Sequence, residues 1–127
     1  MSEYITLAEN VAKAFKKFGC YVFEAKDLER VKDLVVKAEI SKYVEVKPVD
    51  ERYPHIFAVV VSQKGIDREC LSRVEAMLSR GEISQNDYKR YKRELLEQCI
   101  VSMEKERIKE IVNMLEKYVS KISAPMT

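Results

Sequence analysis

Residues 42–61 read KYVEVKPVDERYPHIFAVVV, and this stretch decides the class of fold. Over 42–49 polar and apolar side chains alternate, as they do in a strand with one buried face. Residues 50–54 favour a turn. After His55, the residues up to Val61 are all apolar, which is typical of a strand in the interior of a sheet. The stretch therefore predicts two neighbouring strands, the second central and the first nearer an edge.

The segments before this stretch complete the sheet. Apolar residues recur at helical spacing over 3–18, and Gly19 follows as a stop signal. Residues 20–24 are aromatic and β-branched, which favours a strand, and Asp27 can cap a helix that follows it. The order β-α-β-β predicts an α+β fold with a small three-stranded sheet. The first helix and part of the C-terminal helices are available to cover this sheet.

The C-terminal half is predicted to be helical. Helices are expected over about 67–80 and 85–122, separated by Gly81. A helix over 85–122 would be about 57 Å long, more than the width of a domain of this size. The charged tetrad at 104–107 shifts the apolar phase, which indicates a bend or a change of packing partner. We expect a single domain over 1–127, with an α-β-α-β-β part at 1–64 and a helical hairpin and arm at 65–127.

The last apolar set of the arm recurs at alternating spacings of three and four, which suits a seam against another helix. The seam can pack on the protein's own sheet or against a second subunit. Our leading hypothesis is a non-enzymatic interaction protein that self-associates through this seam, most simply as a dimer. Each seam side chain would contribute about 2–5 kcal/mol to the interface when fully buried. If the seam joins two subunits, the double substitution Ile111→Glu and Leu115→Glu is expected to give a folded monomer. The predicted interface residues are Ile108, Ile111, Leu115, Tyr118 and Ile122.

A segment at the hairpin resembles a SHOCT module, which is a short helical hairpin. Residues 81–96 read GEISQNDYKRYKRELL and are preceded by Val74, Met77 and Leu78. Gly81 can end one helix in the left-handed conformation, and Ser84 can cap the next. The resemblance implies a hairpin that supports oligomerisation and has no enzymatic residues of its own. In that family the module is usually terminal, whereas residues 97–127 follow it here.

A second hypothesis, from a different class, is a nucleic-acid-binding regulator. Four cations interleave with two tyrosines, so one helix could offer charge to phosphates and rings to bases. The alternative is a solvated face, because helical spacing places Tyr88, Tyr91 and Leu95 together on a buried side. The candidate nucleic-acid-binding residues are Lys89, Arg90, Lys92 and Arg93.

A third hypothesis is a Mg²⁺-dependent nuclease of the restriction-endonuclease-like kind. Two acid-x-Lys triplets fall at or near predicted strands, where carboxylates could hold the metal and lysine could assist water. They are Glu24 with Lys26, and Glu45 with Lys47. The pattern lacks an acidic ligand on a preceding hairpin strand, and charged residues make up 35% of the chain, so such triplets arise readily by chance. We assign no catalytic residue and expect no metal or cofactor.

Composition limits the partners and the compartment. Lys plus Arg outnumber Asp plus Glu by 23 to 21, so no net charge would draw the whole protein onto nucleic acid or a membrane. No apolar run reaches the roughly 18 residues that span a bilayer, and the first residues lack a signal-peptide pattern. The Lys- and Glu-rich composition resembles that of proteins from hot environments. The widely spaced cysteines are expected to be reduced thiols in a cytoplasmic protein: Cys20, Cys70 and Cys99.

Overall fold

A computed structural model of the protein describes residues 2–123, with side chains from residue 4 onward. The helices are α1 (Ser2–Phe18), α2 (Leu28–Lys37, preceded by a 3₁₀ turn at Ala25–Asp27), α3 (Ile66–Ser79) and α4 (Gln85–Ser123). The strands are β1 (Cys20–Glu24), β2 (Val44–Pro48) and β3 (Ile56–Val61). The predicted α+β fold is confirmed. Within residues 2–123, no helix combines the length and the apolarity needed to cross a bilayer.

The three strands form one antiparallel sheet in the order β1-β3-β2. β3 is therefore central and β2 lies at an edge, as the alternating and continuous apolar patterns predicted. Because β1 and β2 each run antiparallel to β3, they run parallel to each other, and β3 lies between the two strands joined by α2. Tyr21 and Val46 flank Val59 in one row across the sheet, and this row faces the main core.

The main core gathers apolar residues from α1, α2, the sheet and the C-terminal part of α4. Phe15, Leu34 and Val59 are fully buried there. Gly19 ends α1 with φ +74°, and a Cβ at this position would lie 3.3 Å from Cδ1 of Ile108. Any larger residue would meet both a strained backbone and a close neighbour, so glycine here sets how the chain turns from α1 into β1.

The α3–α4 connection is built by paired stop and start signals. Gly81 has φ +76° and its N–H donates to the Leu78 carbonyl at 3.1 Å, while the Glu82 N–H donates to the Met77 carbonyl at 3.0 Å. These two bonds form a Schellman motif. The Asp87 N–H then donates to Oγ of Ser84 at 3.1 Å, which caps α4. The stop-and-cap geometry that the sequence predicted at 81–84 is confirmed.

The chain divides into two compact units. One lies within Met1–Ser62 and Arg107–Thr127 and contains the sheet and the main core; the other, Gln63–Glu106, is the helical hairpin. The first boundary is close to the expected division at 64/65, but residues after 106 group with the sheet. α4 is continuous and contributes Met103 to the hairpin core and Ile111 to the main core. The change of packing partner predicted at the tetrad 104–107 is therefore observed.

Candidate interaction surface on the C-terminal helices

The structure distributes the five predicted interface residues between the core and the surface of the sheet-containing unit. Ile111 and Leu115 are 0% exposed and lie in the main core. Ile108 and Tyr118 are half-buried and pack against that core, and Ile122 is half-buried near the end of α4. For Ile111 and Leu115 the structure shows the intramolecular packing that the sequence had left as an alternative. An interface at the other three positions stays a prediction.

The exposed parts of Tyr118 and Ile122 line an open cleft of about 390 Å³. Three lysines also line it, together with one glutamate. A second copy docked at the same cleft would bring the two sets of lysines together, and like charges at close range oppose association. This end of α4 therefore does not favour pairing with a second copy. The lysines are Lys37, Lys117 and Lys121.

The part of α4 in the hairpin unit presents a different surface. Its inner face packs on Ile66 and Cys70 of α3. On the side away from this face, six residues follow one another at spacings of four and three, and all six are exposed. Two of them are large and apolar: Tyr91 is 39% exposed and Val101 is 49% exposed. We call this set the outer stripe: Asp87, Tyr91, Glu94, Gln98, Val101 and Lys105.

The helical-wheel assignment of Tyr91 to the buried face is wrong. The buried face of α4 is centred on Leu96 and Met103, which pack in the hairpin core. At about 100° per residue, Tyr91 lies about 140° around the helix from Leu96. The outer stripe was missed because polar residues at 94 and 98 interrupt its apolar pattern. The alternating spacing of four and three residues, considered for polar and apolar residues alike, is the sequence signal that could have identified the stripe.

Charge changes sign along α4 in the hairpin unit. Residues 88–93 contain the four predicted nucleic-acid-binding cations and no acid, and all four cations are exposed. Residues 94–106 contain Glu94, Glu97, Glu104 and Glu106 against one cation, Lys105. The helix thus has a basic segment followed at once by an acidic one.

The basic side chains make contacts within their own helix. The guanidinium carbon of Arg90 lies 5.5 Å from the centre of the Tyr91 ring, and Nζ of Lys92 lies 5.5 Å from that of Tyr88. Nε of Arg93 lies 3.3 Å from Oε1 of Glu97, across the boundary between the basic and acidic segments. Exposed contacts of this kind are worth under about 1 kcal/mol each, so they leave the cations available to a partner.

A shallow depression of about 380 Å³ lies along the outer stripe. It is lined by Glu97, Gln98, Val101, Ser102 and Lys105. Four of these, at 98, 101, 102 and 105, have the relative positions i, i+3, i+4 and i+7. Such a set of four forms the hole that receives a side chain from a facing helix in knobs-into-holes packing. The depression therefore has the arrangement needed to accept one large side chain.

The two acid-x-Lys triplets are not brought together into one site. Glu24 ends β1 and Glu45 lies in β2, and the whole of β3 separates these strands by about 10 Å. Lys26 is engaged locally, with Nζ 3.7 Å from Oε2 of Glu24. Among the described residues, no group of three or more His, Cys, Asp or Glu side chains is placed to hold a metal ion.

The expectation of three reduced cysteines is wrong for two of them. Cys70 and Cys99 form a disulfide that joins α3 to α4, with Cα atoms 5.7 Å apart. The hairpin brings the two together although they are 29 residues apart in the sequence, which spacing alone does not reveal. Cys20 is free. Disulfides are rare in reducing compartments except in proteins of hyperthermophiles, so the cysteines no longer argue for a reducing compartment.

Asp33 and Asp50 have lowered pKa values because each carboxyl accepts hydrogen bonds at the surface. The Tyr4 hydroxyl donates to Oδ2 of Asp33 at 2.6 Å, and this bond, with one from Lys37, lowers the pKa of that carboxyl. The hydrogen bond to Asp33 in turn raises the pKa of Lys37. Arg52 lowers the pKa of Asp50 in the β2–β3 turn. These shifts come from carboxylates paired with donors at the surface, as structural ion pairs also produce.

The sequence matches no protein-family model, no curated protein and no solved structure. The resemblance of residues 74–96 to a SHOCT module therefore stays a prediction. A function for this chain has to be argued from its own surfaces.

Proposed function

We propose that this chain is a non-enzymatic interaction protein that self-associates through its C-terminal helices, with the outer stripe as the contact surface. The observation that carries the proposal is the exposure of Tyr91 and Val101 in a four-three stripe on the side of α4 that faces away from α3. Apolar side chains at positions of a four-three stripe are the ones that pack against another helix in a coiled coil. Tyrosine is also among the residues most enriched at the centres of protein interfaces.

The small core of the hairpin unit supports the same proposal. Within Gln63–Glu106, the buried hydrophobic residues are Ile66, Cys70, Val74 and Met103. Small helical units with so little buried surface are commonly stabilised by disulfides or by oligomerisation. The hairpin has the disulfide, and a helix from a second copy would add buried area on the outer side of α4.

The variant Val101→Glu tests the contact surface. A charge in the stripe would have to be desolvated on association, so we expect the dimer dissociation constant to rise about tenfold or more, equivalent to about 1.4 kcal/mol. Folding should change by less than about 0.5 kcal/mol because the site is exposed. The measurement is light scattering after size exclusion over a series of protein concentrations.

Val36→Glu is the matched control, because Val36 is also an exposed helical valine, 66% exposed in α2. It should leave the mass unchanged. A wild-type chain that stays monomeric up to about 1 mM, the range of weak complexes, would rule out the proposed self-association.

A second candidate function, nucleic-acid binding, is favoured by the four exposed cations of 88–93 next to the exposed Tyr91 ring. If all four neutralise phosphates, the logarithm of the binding constant should fall with that of salt concentration with a slope of about −3 to −4. Replacing Arg90 and Arg93 by Gln together should reduce the slope by about two. The measurement is fluorescence anisotropy with a labelled duplex and a labelled single strand, and absence of binding at low salt would remove this candidate.

A further inference from the structure

We infer that two copies pair their α4 helices antiparallel, in the register that sets Tyr91 of one copy opposite Val101 of the other. The inference rests on the proposed function and specifies the geometry of that contact. It follows from the order of residues along the outer stripe, from the sign of charge along α4 and from the depression beside Val101.

The order of residues selects the antiparallel arrangement. In an antiparallel pair of helices, each a position of one helix faces a d position of the other. The residues of the stripe therefore face those of the second copy in reverse order. With the two-fold axis beside residue 96, Asp87 faces Lys105, Tyr91 faces Val101 and Glu94 faces Gln98 of the second copy. Each pairing occurs twice by symmetry. Every position of the stripe thus has a suitable partner. The first pairing joins opposite charges, the second joins two apolar side chains, and the third can form a hydrogen bond.

Charge along the helix opposes the parallel arrangement. A parallel pair would set the four cations of 88–93 beside the same four cations of the second copy. The antiparallel pair sets them beside the acidic segment 94–106, and Arg90 comes next to Glu104 of the second copy. The two Glu97 side chains meet near the axis, but each is held by Arg93 of its own helix at 3.3 Å.

Shifting the antiparallel pair by one heptad gives poorer partners. In one direction Tyr91 faces Glu94 of the second copy, which would desolvate a carboxylate against an aromatic ring. In the other direction Tyr91 faces Ile108, which is already half-buried against the main core beside Gly19, and Gln98 faces Val101. The register with the axis beside residue 96 keeps the apolar pair together.

The depression along the stripe provides the receiving site for the tyrosine. It is bounded by Gln98, Val101, Ser102 and Lys105 at the four positions of a hole. In the inferred register the Tyr91 side chain of the second copy lies above Val101 and enters this depression. Each copy receives one tyrosine and inserts one.

Disulfide trapping tests the register, in a Cys20→Ser background that removes the free cysteine. An equimolar mixture of Tyr91→Cys and Val101→Cys chains should form a covalent mixed dimer under mild oxidation, seen at twice the mass on a non-reducing gel. Each variant alone should form little, at least tenfold less. In the antiparallel pair the two 91 positions are about 15 Å apart along the axis, beyond disulfide reach.

A charge exchange gives an independent readout that keeps Tyr91. Lys105→Asp should weaken the dimer several-fold, and adding Asp87→Lys to the same chain should restore the association because each new pair is again of opposite charge. Covalent dimers formed in quantity by the Tyr91→Cys or the Val101→Cys chain alone, or no rescue by the exchange, would overturn the register while leaving self-association standing. A monomeric wild type by light scattering would instead overturn the proposed function.

Discussion

Leu115→Glu is expected to unfold the unit that contains the sheet. Leu115 is 0% exposed in the main core, so the change removes a buried side chain worth about 2–5 kcal/mol and buries a carboxylate without a partner, at a cost of several more. The combined loss is similar to the whole stability of a small domain, about 5–15 kcal/mol. Circular dichroism and the dispersion of the amide NMR spectrum would detect the loss of folded structure in this unit.

A milder substitution at the same position gives a measurable change in the free energy of unfolding even if Leu115→Glu does not fold at all. Leu115→Ala should lower the free energy of unfolding by about 2–5 kcal/mol, read from urea denaturation. Lys117→Ala, two residues along on the exposed side of the same helix, is the control and should change stability by less than about 0.5 kcal/mol. A folded, monomeric Leu115→Glu chain would instead favour the subunit seam that the sequence suggested for 108–122.

Replacing Cys70 and Cys99 together by serine is expected to lower the free energy of unfolding by about 3–4 kcal/mol. The two cysteines are 29 residues apart, and a cross-link across a loop of this length restricts the unfolded chain by about that amount. The effect should concentrate in the hairpin unit because its core is small. Hydrogen exchange is the measurement, with amide protection in α3 expected to fall by about two orders of magnitude, the equivalent of roughly 3 kcal/mol.

Cys20→Ser is the control for the disulfide variant, because Cys20 is free and only half-buried; it should leave α3 protection unchanged. Wild-type protein treated with reductant should reproduce the double variant. If reduction changes neither stability nor exchange, the covalent link does not hold the hairpin, and its helices are stabilised by packing alone.

The self-association proposal depends on a surface that only the structure located. The five seam residues are predicted from apolar spacing, and such spacing is the same whether a helix packs on its own sheet or on another chain. Ile111 and Leu115 turned out to be enclosed by their own chain. The outer stripe, in contrast, reads as polar in sequence, and its two apolar members stand out only once their exposure is known.

By itself the sequence determined the elements of this protein and their ends. Alternation over 42–49, the apolar run after His55 and the signals at Gly19, Gly81 and Ser84 act within a few residues, so local backbone preferences and hydrophobic period suffice to place them. The central position of β3 also follows from its composition, since a continuous apolar run is typical of a strand in the interior of a sheet.

Only the tertiary structure decided which residues meet. The return of residues after 106 to the sheet, the Cys70–Cys99 link and the burial of Ile111 and Leu115 all join positions far apart in the chain. A helical period fixes which side chains share a face but not what that face packs against. What a helical face packs against depends on contacts between residues that are distant in the sequence. In α4 these contacts bury Ile111 and Leu115 in the main core and leave the outer stripe exposed.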